Sequence, residues 1–178
     1  MPAMSTNTLM FTATEHGQAM HAKVKAFIET HIEPIEAKFW AECHAQNPDG
    51  NWKTWQWPEK YESLRKQARE AGLWNLFLPD DTLGAGLSVT DYAPIAELTG
   101  RSLLAPYVFN CNAPDSGNME LLWRYGSDEQ QEKWLTPILE GKTRSVFCMT
   151  EPEVASSDAT NMQATAVVDG DEIIINGS

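Results

Sequence analysis

No run of about 18 apolar residues occurs in the sequence, so no membrane-crossing helix and no membrane partner are expected. Basic residues are scarce: 13 Lys and Arg stand against 25 Asp and Glu, a formal net charge of −12 at pH 7. A surface that acidic repels a phosphate backbone, which argues against nucleic acid as a partner. It leaves room for a small phosphorylated ligand, because a few backbone N–H groups override the mean field locally. Cysteine is sparse: Cys43, Cys111 and Cys148 lie far apart and form no Cys-x-x-Cys step. Neither a disulfide framework nor a zinc site is expected, and Cys148 in "FCM" reads as a strand residue facing a core. His16, His21, His31 and His44 lack the i, i+4 spacing of a metal-binding helix and read as surface residues. The opening "MPAMSTNTLMFTATEHG" has neither a basic n-region nor an apolar h-region, so a cytoplasmic location is the expectation.

What the sequence does hold is helical periodicity. Met20, Val24, Phe27, Ile28, Ile32, Ile35 and Phe39 recur at steps of three and four, one apolar stripe on a long helix from Glu15 to about Ala45. Pro34 lies inside that stripe and predicts a kink or break. "NPDGNWKTWQWPEK" is a loop, and Trp52, Trp55 and Trp57 are expected to bury it against the helices beside it rather than to form a ligand platform. A second helix runs from Pro58 to Gly72, with Tyr61, Leu64, Ala68 and Ala71 inward. "LWNLFLPDDTLGAGLS" is a long loop whose "GAG" lacks the strand and Lys of a nucleotide loop. A third helix covers Thr90 to Gly100, with Ser88 or Thr90 as N-cap. "APDSGNMELLWRYG" is a fourth, with Gly126 as its C′ residue. "SDEQQEKWLTPILEG" is a fifth, opened by a Ser127/Gln130 capping box and closed by Gly141.

The period then changes. "RSVFCMT" reads as a short apolar strand, and "QATAVVDGDEIIING" as a hairpin turning at Asp169-Gly170. The chain is thus mainly α: a helical-bundle domain over 1–143, then the beginning of a β-domain over 144–178. Two or three strands bury one sheet face at most, so the second part reads as the opening of a larger sheet.

Residues 145–158 carry the chemistry. An apolar stretch delivers Met149 and Thr150, a turn follows at Pro152, and small residues lead to Ser156, Ser157 and Asp158. Small side chains let a ligand approach backbone N–H groups, and three hydroxyls add donors without bulk. That suits a polar, planar or phosphorylated ligand; it equally suits a turn whose own amides are satisfied by Glu151 and Asp158.

"FCMTEPEVASSD" resembles the flavin-binding signature of the acyl-CoA dehydrogenases, and "APDSGNMELLWRYGSDEQQEKWLTPILEGKTRS" extends the resemblance over most of the chain. The family's common turn, Gly-Ala-Gly, is replaced here by Glu153-Val154-Ala155-Ser156, one residue longer. That departure resembles the branch acting on long-chain and 4-hydroxyacyl-CoA. The resemblance implies an α-helical domain, a middle β-domain and a C-terminal helical domain, with FAD as cofactor and acyl-CoA as substrate. It implies α,β-dehydrogenation, in which a carboxylate takes the α-proton and hydride passes to FAD. It also implies a homo-oligomer, dimer or tetramer, in the full-length enzyme.

By the same resemblance Phe147 and Met149 line the isoalloxazine, Thr150 hydrogen-bonds the flavin, and Ser157 reaches the FAD phosphates and the substrate's pantetheine. Ser156 joins this cofactor-binding set despite the longer turn. Asp158 fixes the turn, and Glu151 is not expected to be the base. Asn110 or Asp115 would meet a hydroxylated acyl group, unless Asp115 or Ser116 simply caps a helix. The second flavin segment and the catalytic carboxylate belong to sequence beyond Ser178, so no catalytic residue is assigned and the chain alone is expected to be inactive. The alternatives are a helical interaction module without flavin, and part of an acyl-CoA oxidase-like enzyme.

Overall fold

The computed structural model describes residues 13–177 apart from Trp52, and it divides into two compact units, Met1–Arg144 and Ser145–Ser178.

The first unit is helical. Helix α1 (Glu15–Phe27) is capped by Thr14, whose hydroxyl accepts from the Gly17 N–H at 3.1 Å. The helix does not stop at Phe27: a wider π-turn, Ile28–Ile32, carries it into α2 (Glu33–Gln46), where Pro34 sits in the first turn. The Glu33 N–H reaches back five residues to the Ile28 carbonyl. Pro34 has no N–H to give, so the ladder widens one step ahead of it instead of breaking. The predicted interruption is thus a π-turn.

Helices α3 (Lys60–Glu70), α4 (Val89–Thr99) and the single turn α5 (Ala105–Val108) follow. Next come α6 (Asp115–Tyr125), the short turn α7 (Asp128–Gln130) and α8 (Thr136–Leu139). A second π-turn, Gln131–Leu135, joins α7 to α8, with Thr136 N–H bonded to Gln131 O and Pro137 in the first turn of α8. The device of Pro34 is repeated, and here the sequence reading missed it. The Ser127/Gln130 capping box is present, and Ser88 caps α4. Gly126 departs from expectation: its φ of −72° and ψ of 142° are extended, not left-handed. The Gln131 amide donates to Trp123 O and Gly126 O there, doing the work a left-handed glycine would have done.

The apolar stripe of α1 and α2 meets α3, α4 and α5 in one core, in which Val24, Ile32, Leu76, Ile95 and Phe109 are fully buried. Each such side chain contributes roughly 1.5–3 kcal/mol relative to exposure. Trp57 stacks on Tyr61 at 4.4 Å and Asn47 brackets Gln56 with two hydrogen bonds, so the loop is held against the helices through Trp57, whereas Trp55 is 37% exposed and does not bury it as expected. Trp52 lies outside the described residues.

Asp91 ties the starts of α1 and α4 together. Its carboxylate accepts from Thr14 N at 2.7 Å and from the Ser88 hydroxyl at 2.7 Å. A Cβ on Gly17 would come within 2.3 Å of it, so only glycine lets α1 approach. The Ser88 hydroxyl and then the Thr14 amide hold the Asp91 carboxyl below its ordinary value. A lowered folded pKa means stabilisation that is complete above the unfolded value of about 3.9 and is lost as pH falls through the folded one. The stability gap between wild type and Asp91→Asn, followed by circular dichroism, is expected to be constant above pH 5 and to shrink below pH 4. A gap that widened on acidification would contradict this.

The end of α8 is held from outside. Trp74 Nε1 donates to Leu139 O at 2.7 Å, Asn110 Nδ2 to Ile138 O at 3.0 Å, and Arg65 to Gly141 O at 2.9 Å. Gly141 is left-handed, at φ 64°, as its place after the last helix predicts.

The second unit holds a two-stranded antiparallel hairpin, β1 (Thr165–Asp169) and β2 (Glu172–Asn176). Asp169 pairs with Glu172, so the turn residues are Gly170-Asp171, one step later than predicted, with Gly170 at φ 62°. Ala166, Val168, Ile173 and Ile175 share one face of the hairpin, and their side chains are exposed. "RSVFCMT" is not a strand. It runs without a ladder partner among the described residues, and Cys148 is exposed rather than turned into a core.

Candidate functional site

The candidate site lies within the second unit, along Phe147–Ser157. Phe147 is 66% exposed, Thr150 and Ser157 are exposed, and Met149 is half-buried. Among the described residues no hydrogen bond engages the side chains of Thr150 or Ser157. Ser156 differs from both: it is 1% exposed, and its hydroxyl accepts from the Glu151 N–H at 2.7 Å. The turn therefore separates its two serines, one inward as a strut and one outward.

Glu151 turns back onto the chain that leads into β1. Its two carboxylate oxygens accept from Gln163 N and Ala164 N, each at 2.8 Å. Asp158 accepts from the Thr160 hydroxyl at 2.7 Å and the Thr160 N–H at 3.1 Å, and these two bonds hold its carboxyl below the ordinary value. It caps the short 3₁₀ turn Ala159–Asn161, the turn-fixing geometry expected of it. With both oxygens on backbone amides, Glu151 is a structural acceptor in this arrangement.

The charge of this unit is one-sided. From Ser145 to Ser178 there are six carboxylates and no Lys, Arg or His. Any phosphate bound by this segment must be met by neutral N–H and O–H donors. An FAD fits what is available: an exposed aromatic ring for a planar apolar body, and uncommitted hydroxyls at Thr150 and Ser157 for its polar edge and phosphates.

The other candidates resolve as structure. Asn110 is buried with φ 55°, and its amide donates to Asn75 Oδ1 at 2.7 Å. Asn112 Nδ2 donates to Asp115 Oδ2 at 3.1 Å, and the Arg144 guanidinium also bonds that oxygen. Asp115 is fully buried at the first position of α6, with Pro114 rather than an acidic or hydroxyl residue as N-cap. The "GAG" loop is wrapped around Asp80, whose backbone carbonyl accepts from Gly84 N and Gly86 N. Its glycine amides serve their own turn. Burial pushes the Cys111 thiol up to about 11, which leaves it protonated at neutral pH. His16, His31 and His44 are exposed and His21 half-buried, and among the described residues no group of His, Cys, Asp and Glu is placed to hold a metal.

Comparison with known proteins gives this geometry its context. A family model described as acyl-CoA dehydrogenase, N-terminal domain, matches residues 14–142. The acyl-CoA dehydrogenase family member 11 of Gallus gallus is 49% identical over 97% of the chain, and that of Homo sapiens 48% identical over 99%. Among solved structures, one from Mycobacterium abscessus, of a protein assigned to the acyl-CoA dehydrogenases, superposes with a TM-score of 0.84 at 56% identity over 94% of the chain. An acyl-CoA dehydrogenase from Geobacillus kaustophilus, at 24% identity and a TM-score of 0.61, supports the fold alone. The chain spans 22% of the length of those two curated relatives and 42% of the Mycobacterium chain. The mainly helical fold, the family model over residues 14–142 and relatives near half identity place this chain in the acyl-CoA dehydrogenase family.

Proposed function

We propose that this chain supplies the helical N-terminal domain and a first flavin-contacting segment to an FAD-dependent acyl-CoA dehydrogenase. The observation that carries the reading is the split of the 147–157 turn. Its inner hydroxyl, Ser156, is committed, while Phe147, Thr150 and Ser157 face outward with nothing bound to either hydroxyl among the described residues.

In this reading Phe147 and Met149 offer apolar surface to the isoalloxazine, and Thr150 donates to its polar edge. Ser157 donates to the phosphates of FAD and to the pantetheine arm of an acyl-CoA, with Ser156 bracing the turn from inside. The bound FAD supplies the hydride acceptor of α,β-dehydrogenation. Donors fixed in advance near the flavin favour negative charge as it develops on the ring, because they need no reorganisation at that moment. The catalytic carboxylate is not assigned to this chain. The long-chain and 4-hydroxyacyl preference, and assembly as a dimer or tetramer, belong to the same proposal and rest on the family resemblance. The apolar hairpin face of Ala166, Val168, Ile173 and Ile175 is the surface on which the rest of a middle β-domain would close.

An FAD titration of the purified chain, read by flavin fluorescence and visible absorption, tests the reading. Saturable binding supports it. No binding at any workable concentration would place the flavin contacts elsewhere and favour a helical interaction module. The charge pattern adds a second expected result. With six carboxylates and no cation in the unit, the phosphates are repelled at long range, and salt screens that repulsion. FAD affinity is expected to hold or rise between 20 and about 200 mM salt. A steep fall would mean that Lys or Arg from the helical unit holds the phosphates.

A further inference from the structure

We infer that Glu151 and Ser156 are positioning residues that fix where Thr150 and Ser157 stand, an inference that rests on the flavin reading above. Three bonds converge on Glu151: its two oxygens take the N–H groups of Gln163 and Ala164, and its own N–H donates to Ser156 Oγ. The first pair ties the residue to the chain entering β1 at Thr165. The third ties it across the turn to a serine that is 1% exposed.

Thr150 directly precedes Glu151, and Ser157 directly follows Ser156. Adjacent Cα atoms are about 3.8 Å apart, so each outward hydroxyl is one residue step from a pinned one. The two proposed donors therefore hold their spacing through Ser156, which is buried, and Glu151, which is half-buried and bonded back to the chain entering β1.

The site needs a carboxylate at 151. An ionised carboxylate is acceptor-only, so it meets two convergent N–H donors at once. A glutamine of the same shape would set its NH₂ against one of them. Because both oxygens are occupied by amides, the charge of Glu151 is also partly absorbed by backbone dipoles rather than presented to an incoming phosphate. Glu153 is the natural comparison. It is exposed, carries the same charge two residues away, and makes no bond to those amides among the described residues.

The test uses the full ¹⁵N-labelled chain as wild type, Glu151→Gln, Glu153→Gln, Ser156→Ala and Ser156→Thr. Amide resonances, amide exchange and FAD affinity are read on each. Glu151→Gln is expected to move the Thr150 and Ser157 amide resonances, to speed exchange at Gln163 and Ala164 about tenfold, and to weaken FAD binding about tenfold. Glu153→Gln is expected to do none of these. Ser156→Ala is expected to move the same two resonances, and Ser156→Thr, which keeps the hydroxyl, to restore them.

Unmoved Thr150 and Ser157 resonances in Glu151→Gln would overturn the inference, as would equal changes in Glu153→Gln. If Glu151→Gln melts the hairpin, the Ala and Thr variants of Ser156 decide by whether the hydroxyl restores the two resonances. If the wild type binds no FAD, the flavin reading fails by itself, and the resonance positions still decide whether Glu151 and Ser156 set the turn.

Discussion

Asn110→Ala is expected to cost about 3–4 kcal/mol of stability, close to half the stability of many single domains. Two losses add. The backbone at Asn110 is left-handed, at φ 55°, where alanine pays about 1 kcal/mol or more and asparagine is tolerated. Its side-chain amide, in a residue only 2% exposed, donates to Asn75 Oδ1 at 2.7 Å and Ile138 O at 3.0 Å. Ile138 O keeps the Gly141 N–H at 2.8 Å, but Asn75 Oδ1 would be left without that donor, and a stranded buried acceptor costs about 1–3 kcal/mol. A fall in Tm of about 10 °C follows for a unit of this size. Asn110→Gly separates the two losses, because glycine accepts the left-handed backbone but cannot donate. It is expected to recover about 1 kcal/mol of the alanine cost. Denaturant unfolding followed by circular dichroism measures all three proteins. An alanine variant within 1 kcal/mol of wild type would show that the amide's bonds to Asn75 and Ile138 do not hold the end of α8.

Removing both outward hydroxyls of the candidate site, as Thr150→Ala with Ser157→Ala, is expected to weaken FAD binding roughly 10- to 100-fold. Each hydrogen bond contributes about 0.5–1.5 kcal/mol net, toward the upper end where the acceptor is a charged phosphate. The unit offers no cation to compensate, so the neutral donors carry more of the binding than they would beside an arginine. Stability is expected to change little, because both side chains are exposed and make no hydrogen bond among the described residues. The single variants separate the contributions, and fluorescence titration reads them. A double variant that binds FAD as the wild type does would remove these hydroxyls from the flavin site.

The helices were legible because their apolar residues keep a period that only an amphipathic helix satisfies: Val24, Ile28 and Ile32 are all buried where the stripe places them. Ser127 with Gln130 announced its capping box through local chemistry alone. The π-turns were half legible. Pro34 marked the first, and Pro137 carried the same signal for the second, but the period over Gln131–Leu135 looked helical throughout. The hairpin turn slipped by one residue because Asp169-Gly170 and Gly170-Asp171 are both turn pairs, and only the cross-strand register separates them. "RSVFCMT" has strand composition, yet a strand needs a partner for its N–H and C=O groups, and composition does not supply one.

At the candidate site the residue types were readable and their division of labour was not. Ser156 and Ser157 are identical neighbours, and only the fold sends one inward to Glu151 and leaves the other outward. The bonds from Glu151 to Gln163 and Ala164 span 12 and 13 residues, a separation at which no local pattern exists to be read. Asn110 gave no sign of its left-handed backbone or of its reach to Ile138, because both depend on how α8 packs.

The most direct test of the central claim is an FAD titration of the ¹⁵N-labelled chain followed by amide chemical shifts. The account predicts saturable shifts concentrated on Phe147–Ser157, with Thr150 and Ser157 among the largest and the Gly84–Gly86 loop unmoved. Shifts centred on that loop or on another part of the helical unit, with Phe147–Ser157 silent, would contradict it.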